Sequence, residues 1–129
     1  MHDGTAHWLL TFVANGQVRV CDSLRDYITR NTQKSMKDLY NPFFDSSGKL
    51  KVTFMAVEKQ NDGYNCGPYA IAFAAEILDG KCPTTSRLAK NSMRAHLISC
   101  LEKNELCPFP KIPSTLTTCD IPASKTRIY

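Results

Sequence analysis

Two apolar runs near the start of the chain, His7–Val13 and Gln17–Cys21, flank Ala14-Asn15-Gly16. Asn-Gly between runs of strand-forming residues is a strong hairpin signal, so the pattern predicts two paired strands. Ser23–Tyr40 is polar, with only weak helical spacing at Leu24, Tyr27 and Ile28, and predicts no clear element. Asn41-Pro42 breaks the chain, and Ser46-Ser47-Gly48 reads as a turn. Lys49–Glu58 alternates at Leu50, Val52, Phe54 and Ala56 and predicts a third strand. Gln60–Asn65 is a polar loop. Cys66–Leu78 then runs without a breaker up to Gly80 and predicts a helix, with Pro68 in the first turn and Gly80 as the stop. Ala70, Ile71, Phe73, Ala74, Ile77 and Leu78 make most of its faces apolar, so it should be buried. A second helix is expected over Thr85–Lys103, with Met93, Leu97, Ile98 and Leu101 on one side. The expected class is α+β.

Beyond Cys107, prolines at 108, 110, 113 and 122 among many Ser and Thr residues predict an extended tail over 111–129, leaving 1–110 as the folded domain. At 129 residues the chain suits one compact unit. Its net charge of +4 is dispersed, with no run of five like charges, so neither nucleic acid nor a membrane surface is an expected partner. The longest apolar runs are too short to span a bilayer, and the first residues do not read as a signal peptide. Six cysteines in that context are expected to be reduced thiols, which points to an intracellular protein of the nucleus or cytoplasm.

Hairpin register brings chemistry into view. With a two-residue loop at Asn15-Gly16, facing residues have numbers that sum to 31, so a ladder that extends that far sets His7 opposite Leu24 and diagonal to Asp22. Diagonal side chains on one face lie roughly 7–8 Å apart, within reach of an imidazole–carboxylate hydrogen bond. Cys66 follows a Gly-containing loop and opens the buried helix, where the partial positive charge of a helix N-terminus favours a thiolate. Gly67 leaves room for a carbonyl to approach, and the Cys66 backbone N–H with the Gln60 amide offers two oxyanion donors. Nucleophile, base, orienting group and oxyanion donors are the parts of an acyl-transfer site.

The segments His7-Trp8-Leu9-Leu10, Val20-Cys21-Asp22-Ser23-Leu24 and Gln60-Asn61-Asp62-Gly63-Tyr64-Asn65-Cys66-Gly67-Pro68-Tyr69-Ala70 closely resemble the ubiquitin-like-protease (Ulp/SENP) family of cysteine peptidases. Met93-Arg94-Ala95-His96-Leu97 and Pro108-Phe109-Pro110 are similar to that family's closing segment. The resemblance runs from about His7 to about Pro110. It implies a papain-like core of the Ulp/adenain type, a short mixed sheet packed on the helix that bears the catalytic cysteine. It also implies that Cys66 attacks the carbonyl of a modifier's C-terminal glycine, that His7 moves the proton, that Asp22 orients His7, and that Gln60 donates to the oxyanion. Trp8 is implied to line the passage for the modifier's diglycine tail, beside Gly67. The implied partner is SUMO or a related ubiquitin-like modifier with its conjugates, the implied state a monomer, and no cofactor is called for. Because His7 lies almost at the start, the chain is expected to be shortened on its N-terminal side relative to the family.

Plainer roles stand beside these. Trp8 would serve equally as core, Asp22 as a turn cap before Ser23, and Gln60 as a donor within its own loop. Cys21, facing away from Asp22, reads as packing. His96 and Cys100 lie one helical turn apart, with Cys82 and Cys107 more distant, but no Cys-x-x-Cys pair exists and no metal is expected. Rival functions are a YopJ-type acetyltransferase using the same triad, for which no basic coenzyme A cluster is seen, and an inactive remnant that only binds a modifier. A processing protease of the viral adenain kind, acting on a polyprotein, shares the same chemistry.

Overall fold

The computed structural model describes residues 1–85, 87–113 and 125–129. Strands β1 (Leu10–Ala14) and β2 (Gln17–Cys21) form the expected hairpin, with Leu10 opposite Cys21 and Ala14 opposite Gln17. Asn15 at φ 53° and Gly16 at φ 71° make its two-residue turn, whose backbone twist matches that of the strands. Strand β3 (Lys51–Phe54) runs parallel to β2, with Val18 opposite Val52. Strand β4 (Lys125–Ile128) lies antiparallel to β3 on the other edge, giving the order β1-β2-β3-β4. The parallel β2–β3 pair needs a long crossover.

Helix α1 (Arg30–Leu39) lies within that crossover, a helix the sequence pattern did not predict. Its amino end is capped by Thr29, whose hydroxyl accepts from the Thr32 N–H at 3.2 Å. Only Thr32 and Met36 are buried along it, which leaves too few apolar positions to show a helical period. Helix α2 (Cys66–Leu78) has the predicted bounds, and Gly80 follows at φ 75°. Its burial is uneven, because Ile71 and Leu78 are exposed while Tyr69, Ala72 and Phe73 are buried.

Helix α3 (Met93–Lys103) begins eight residues later than expected. Upstream of it, single helical turns at Pro83–Thr85 and Lys90–Ser92 flank Leu88, which bridges to Lys111. The Leu88 N–H donates to Glu58 Oε2 at 2.8 Å and the Ala89 N–H to the Pro110 carbonyl at 2.8 Å. Those bonds take up backbone groups that a longer helix would need. Met93, Leu97 and Cys100 make the inward stripe of α3, whereas Ile98 and Leu101 face solvent. The expected side of Met93, Leu97, Ile98 and Leu101 is therefore rotated by about half a face.

The sheet separates two cores. Val18, Val20, Val52 and Phe54 pack with Met36 and Tyr40 on the α1 side. Cys21, Leu10 and Phe12 pack with Ala72, Phe73 and Met93 on the α2–α3 side. Alternation along β2 thus divides its side chains between the layers, and each large apolar side chain buried there contributes about 1.5–3 kcal/mol. Of the expected tail, 114–124 lies outside the described residues. Before it, Lys111 pairs with Glu76 on α2 at 2.7 Å, and after it β4 joins the sheet.

Candidate active site

His7 and Asp22 stand just beyond the open end of the β1–β2 hairpin, where the ladder stops at Leu10 and Cys21. Both are buried, and His7 Nε2 lies 2.8 Å from Asp22 Oδ1. The same oxygen accepts from the Leu24 N–H at 2.8 Å and the Arg25 N–H at 3.0 Å. With those two N–H groups already aimed at it, Oδ1 acts as acceptor and His7 Nε2 as donor, which leaves Nδ1 as the nitrogen with a lone pair. Asp22 is thus both a turn cap and the partner of His7. Lys59 Nζ donates to the carbonyls of Asp22, at 2.7 Å, and Arg25, at 3.0 Å.

Cys66 occupies the first turn of α2, buried at 7 % exposure, with Asn65 as the N-cap residue. The loop before it is tied by Asp62. Its Oδ1 accepts from the N–H groups of Tyr64 and Asn65, and its Oδ2 from the Asn65 side chain at 3.0 Å and from Lys90 at 2.6 Å. The hydrogen bond from Lys90, reinforced by those from Tyr64 and Asn65, holds the Asp62 carboxyl well below the usual carboxylate range. Arg94, on α3, donates to Asn65 Oδ1 at 3.2 Å and to the Tyr64 carbonyl at 2.9 Å, so α3 fixes the residue preceding Cys66.

The Gln60 amide is held at both ends. Oε1 accepts a hydrogen bond from the Ser23 hydroxyl, and Nε2 donates to the Asp62 carbonyl at 2.7 Å. One amide hydrogen is thereby used in the loop and the second is not needed there. Trp8 is 49 % exposed, which excludes the core role. Its ring packs edge-on against His2 and lies 3.9 Å from where a Cβ on Gly67 would stand. The tryptophan beside His7 therefore meets the glycine beside Cys66. An apolar groove of about 610 Å³ is lined by residues that include Trp8, Leu9, Gly67, Pro68, Ile71 and Leu97.

Asp3 was not singled out by sequence, yet it is buried and directly behind His7. Its Oδ1 accepts from the N–H groups of Thr5, at 2.7 Å, and His7, at 3.1 Å, and its Oδ2 pairs with Arg25 at 2.6 Å. Burial pushes its carboxyl up, but hydrogen bonds from Thr5, Arg25 and His7 outweigh that and hold it well below the ordinary range. An Asp-Gly-Thr turn in an irregular segment carries no periodic signal, so only the fold shows this role.

Cys21 is fully buried against the α2–α3 core, and burial pushes its thiol up to about 12. Cys21, Cys66, Cys100 and Cys107 are free thiols, whereas Cys82 is disulfide-bonded, a departure from the expectation of reduced cysteines. His96 Nε2 lies 3.3 Å from Cys100 Sγ and 3.1 Å from the Cys107 carbonyl. Among the described residues no group of three or more His, Cys, Asp or Glu side chains is arranged to hold a metal ion. No helix among them is long and apolar enough to cross a membrane.

Comparison with known proteins bears out the family resemblance read from the sequence. Residues 1–99 match the Ulp1 protease family, C-terminal catalytic domain. The chain is similar to the NEDD8-specific protease 1 of Schizosaccharomyces pombe (strain 972 / ATCC 24843), at 24% identity over 110 residues. That match covers 81% of this chain but 26% of the relative, so the chain spans about a quarter of that protein's length. No solved structure matches significantly. With the family's catalytic-domain pattern running through more than three quarters of its residues, the chain belongs to the Ulp1 protease family of cysteine peptidases.

Proposed function

We propose that the protein is a thiol protease or isopeptidase that cleaves after the C-terminal glycine of a ubiquitin-like modifier, with Cys66 as nucleophile and a papain-like core. The observation that carries this reading is the buried His7–Asp22 pair at 2.8 Å, whose neighbour Trp8 reaches Gly67 beside Cys66. Cys66 Sγ attacks the glycine carbonyl, and His7 takes the thiol proton at Nδ1 while Asp22 holds Nε2. The Cys66 N–H, which as a first-turn group has no intrahelical acceptor, and the Gln60 amide stabilise the oxyanion. Collapse of the tetrahedral intermediate breaks the C–N bond, and His7 returns the proton to the leaving amine. Water, deprotonated by His7, then hydrolyses the thioester, giving the free glycine carboxylate and regenerating the thiol.

The apolar groove that Trp8 lines adjoins Gly67 and the start of α2, and the modifier's diglycine tail is the chain end proposed to approach Cys66 beside it. The sequence motifs point to SUMO or a related modifier, and the name of the fission yeast relative points to NEDD8; both belong to the class proposed. The localisation that goes with this reading is the nucleus or cytoplasm, argued from the substrate class alone, since the disulfide at Cys82 withdraws the argument from reduced thiols.

The test exposes the protein to SUMO, NEDD8 and ubiquitin carrying C-terminal thiol-reactive groups, beside Cys66→Ala. A covalent adduct with one modifier that disappears in Cys66→Ala is the expected result. Folded protein that forms no adduct with any of them overturns the reading.

A further inference from the structure

We infer that Asp3 and Arg25 are positioning residues that set the geometry of the His7–Asp22 pair. The inference takes its catalytic meaning from the function proposed above, and its structural content stands on the contacts alone.

The two members of the pair come from different segments, and nothing in the hairpin ladder fixes them, since regular pairing ends at Leu10 and Cys21. Asp3 holds the first member. It accepts the His7 N–H on Oδ1 at 3.1 Å, and its own N–H donates to the His7 carbonyl at 2.8 Å. Arg25 holds the second, because its backbone N–H donates to Asp22 Oδ1 at 3.0 Å. The Arg25 guanidinium then reaches back to Asp3 Oδ2 at 2.6 Å and closes a ring of contacts, Asp3–His7–Asp22–Arg25. Each link is a hydrogen bond to a carboxylate, the stronger kind.

The backbone between Asp3 and His7 points the same way. Ala6 sits at φ 82°, a region costly for a residue with a Cβ, directly before His7. Such a conformation persists only where surrounding contacts over-determine it. The Asp3 carboxylate supplies them, accepting from Thr5 and His7 on either side of Ala6. The buried Asp3 carboxylate thus ties the segment carrying His7 to a cation borne by the segment carrying Asp22.

The experiment reads the His7 ring directly. Long-range proton–nitrogen NMR spectra of the three histidine rings, assigned with His7→Gln, report which ring nitrogen carries the proton. Wild-type protein is expected to show the Nε2-protonated form of His7 alone. Asp3→Asn and Arg25→Met are each expected to give a mixture of both forms and to slow adduct formation at Cys66 by roughly 10–100-fold, the scale of a misplaced catalytic group. Arg25→Lys, which keeps a donor, should restore part of the loss. Arg25 has a side chain that is 25% exposed and is expected to tolerate Met, so it decides the matter if Asp3→Asn does not fold. Folded variants with the wild-type ring signature overturn the inference, as does a wild-type ring protonated on Nδ1. Wild-type protein that reacts with no modifier overturns the proposed function instead, while the ring spectra still decide the role of Asp3 and Arg25.

Discussion

Ser23 follows Asp22 in the chain and donates its hydroxyl hydrogen to Gln60 Oε1, so one residue links the carboxylate that holds His7 to the amide proposed as oxyanion donor. Its carbonyl also accepts the Gln60 backbone N–H at 2.7 Å. The amide plane of Gln60 is therefore fixed with respect to Asp22 before any substrate arrives.

Ser23→Ala should free that plane. Loss of the donor to a buried carbonyl oxygen costs about 1–3 kcal/mol of stability. Single-turnover cleavage of a modifier amide should slow by about tenfold with little change in KM, because the oxyanion forms only on the way to the intermediate. Gln60→Ala should go further, to about 10²–10³ in kcat. Equal kcat values in wild type and Gln60→Ala would remove Gln60 from the chemistry and leave it as a loop residue.

The segment before Cys66 predicts an acid-sensitive contribution to stability. Asp62 has its carboxyl held low by Lys90 and its neighbours, so its contribution is fully present above the ordinary value of about 3.9 and is lost as pH falls below it. Asp3 has the same sign, for the reasons given by Thr5, Arg25 and His7. Denaturant midpoints of wild type and Asp62→Asn, and of wild type and Asp3→Asn, should differ by a constant amount from neutral pH to about pH 4 and converge below it. A gap that widens on acidification would contradict both assignments.

How far the sequence carried these conclusions follows from where the signals reside. The hairpin follows from two residues, Asn15 and Gly16, whose conformations set its register; pairing ends at Leu10 and Cys21, so His7 and Asp22 do meet but through contacts of their own rather than as a diagonal pair of the ladder. Helix α2 announced itself by an unbroken apolar run and its two ends. Helix α1 did not, because Met36 and Thr32 are its only fully buried residues. Strand β4, Lys-Thr-Arg-Ile, is exposed throughout and is held by pairing with β3 from more than seventy residues away, which no local pattern encodes. The site was legible where its residues carry chemistry of their own; Asp3 and Arg25 lie outside the motifs, and Asp62 and Arg94 lie within them but act by tying the loop before Cys66 to Lys90 and α3.

Trp8 gives a direct optical test of the groove. It is the single tryptophan of the chain, and half of its surface faces solvent. Trp8→Ala should leave thermal stability nearly unchanged, since the ring is not part of either core. It should raise KM for a modifier substrate by about tenfold or more, the effect of losing one aromatic wall. Titration of wild type with modifier should shift the tryptophan emission to shorter wavelength as water leaves the ring. A large fall in melting temperature for Trp8→Ala, with KM unchanged, would return Trp8 to a structural role.

Ala6 isolates strain from chemistry. At φ 82° a glycine meets no penalty that alanine escapes, so Ala6→Gly should relieve backbone strain at the cost of greater freedom in the unfolded chain. The first effect is about 1–3 kcal/mol and the second about 0.5–1 kcal/mol, so the variant should be more stable than wild type by about 1 kcal/mol. Activity sets the opposite expectation. The Cβ of Ala6 narrows the conformations open to the peptide leading into His7, and the glycine widens them, so the rate of Cys66 adduct formation should fall even as the melting temperature rises. Denaturant unfolding and adduct kinetics on the same preparation separate the two. A variant that gains stability and keeps its full rate would show that the Asp3 contacts alone suffice to place His7. A variant that loses stability would show that the Ala6 conformation carries no strain to relieve.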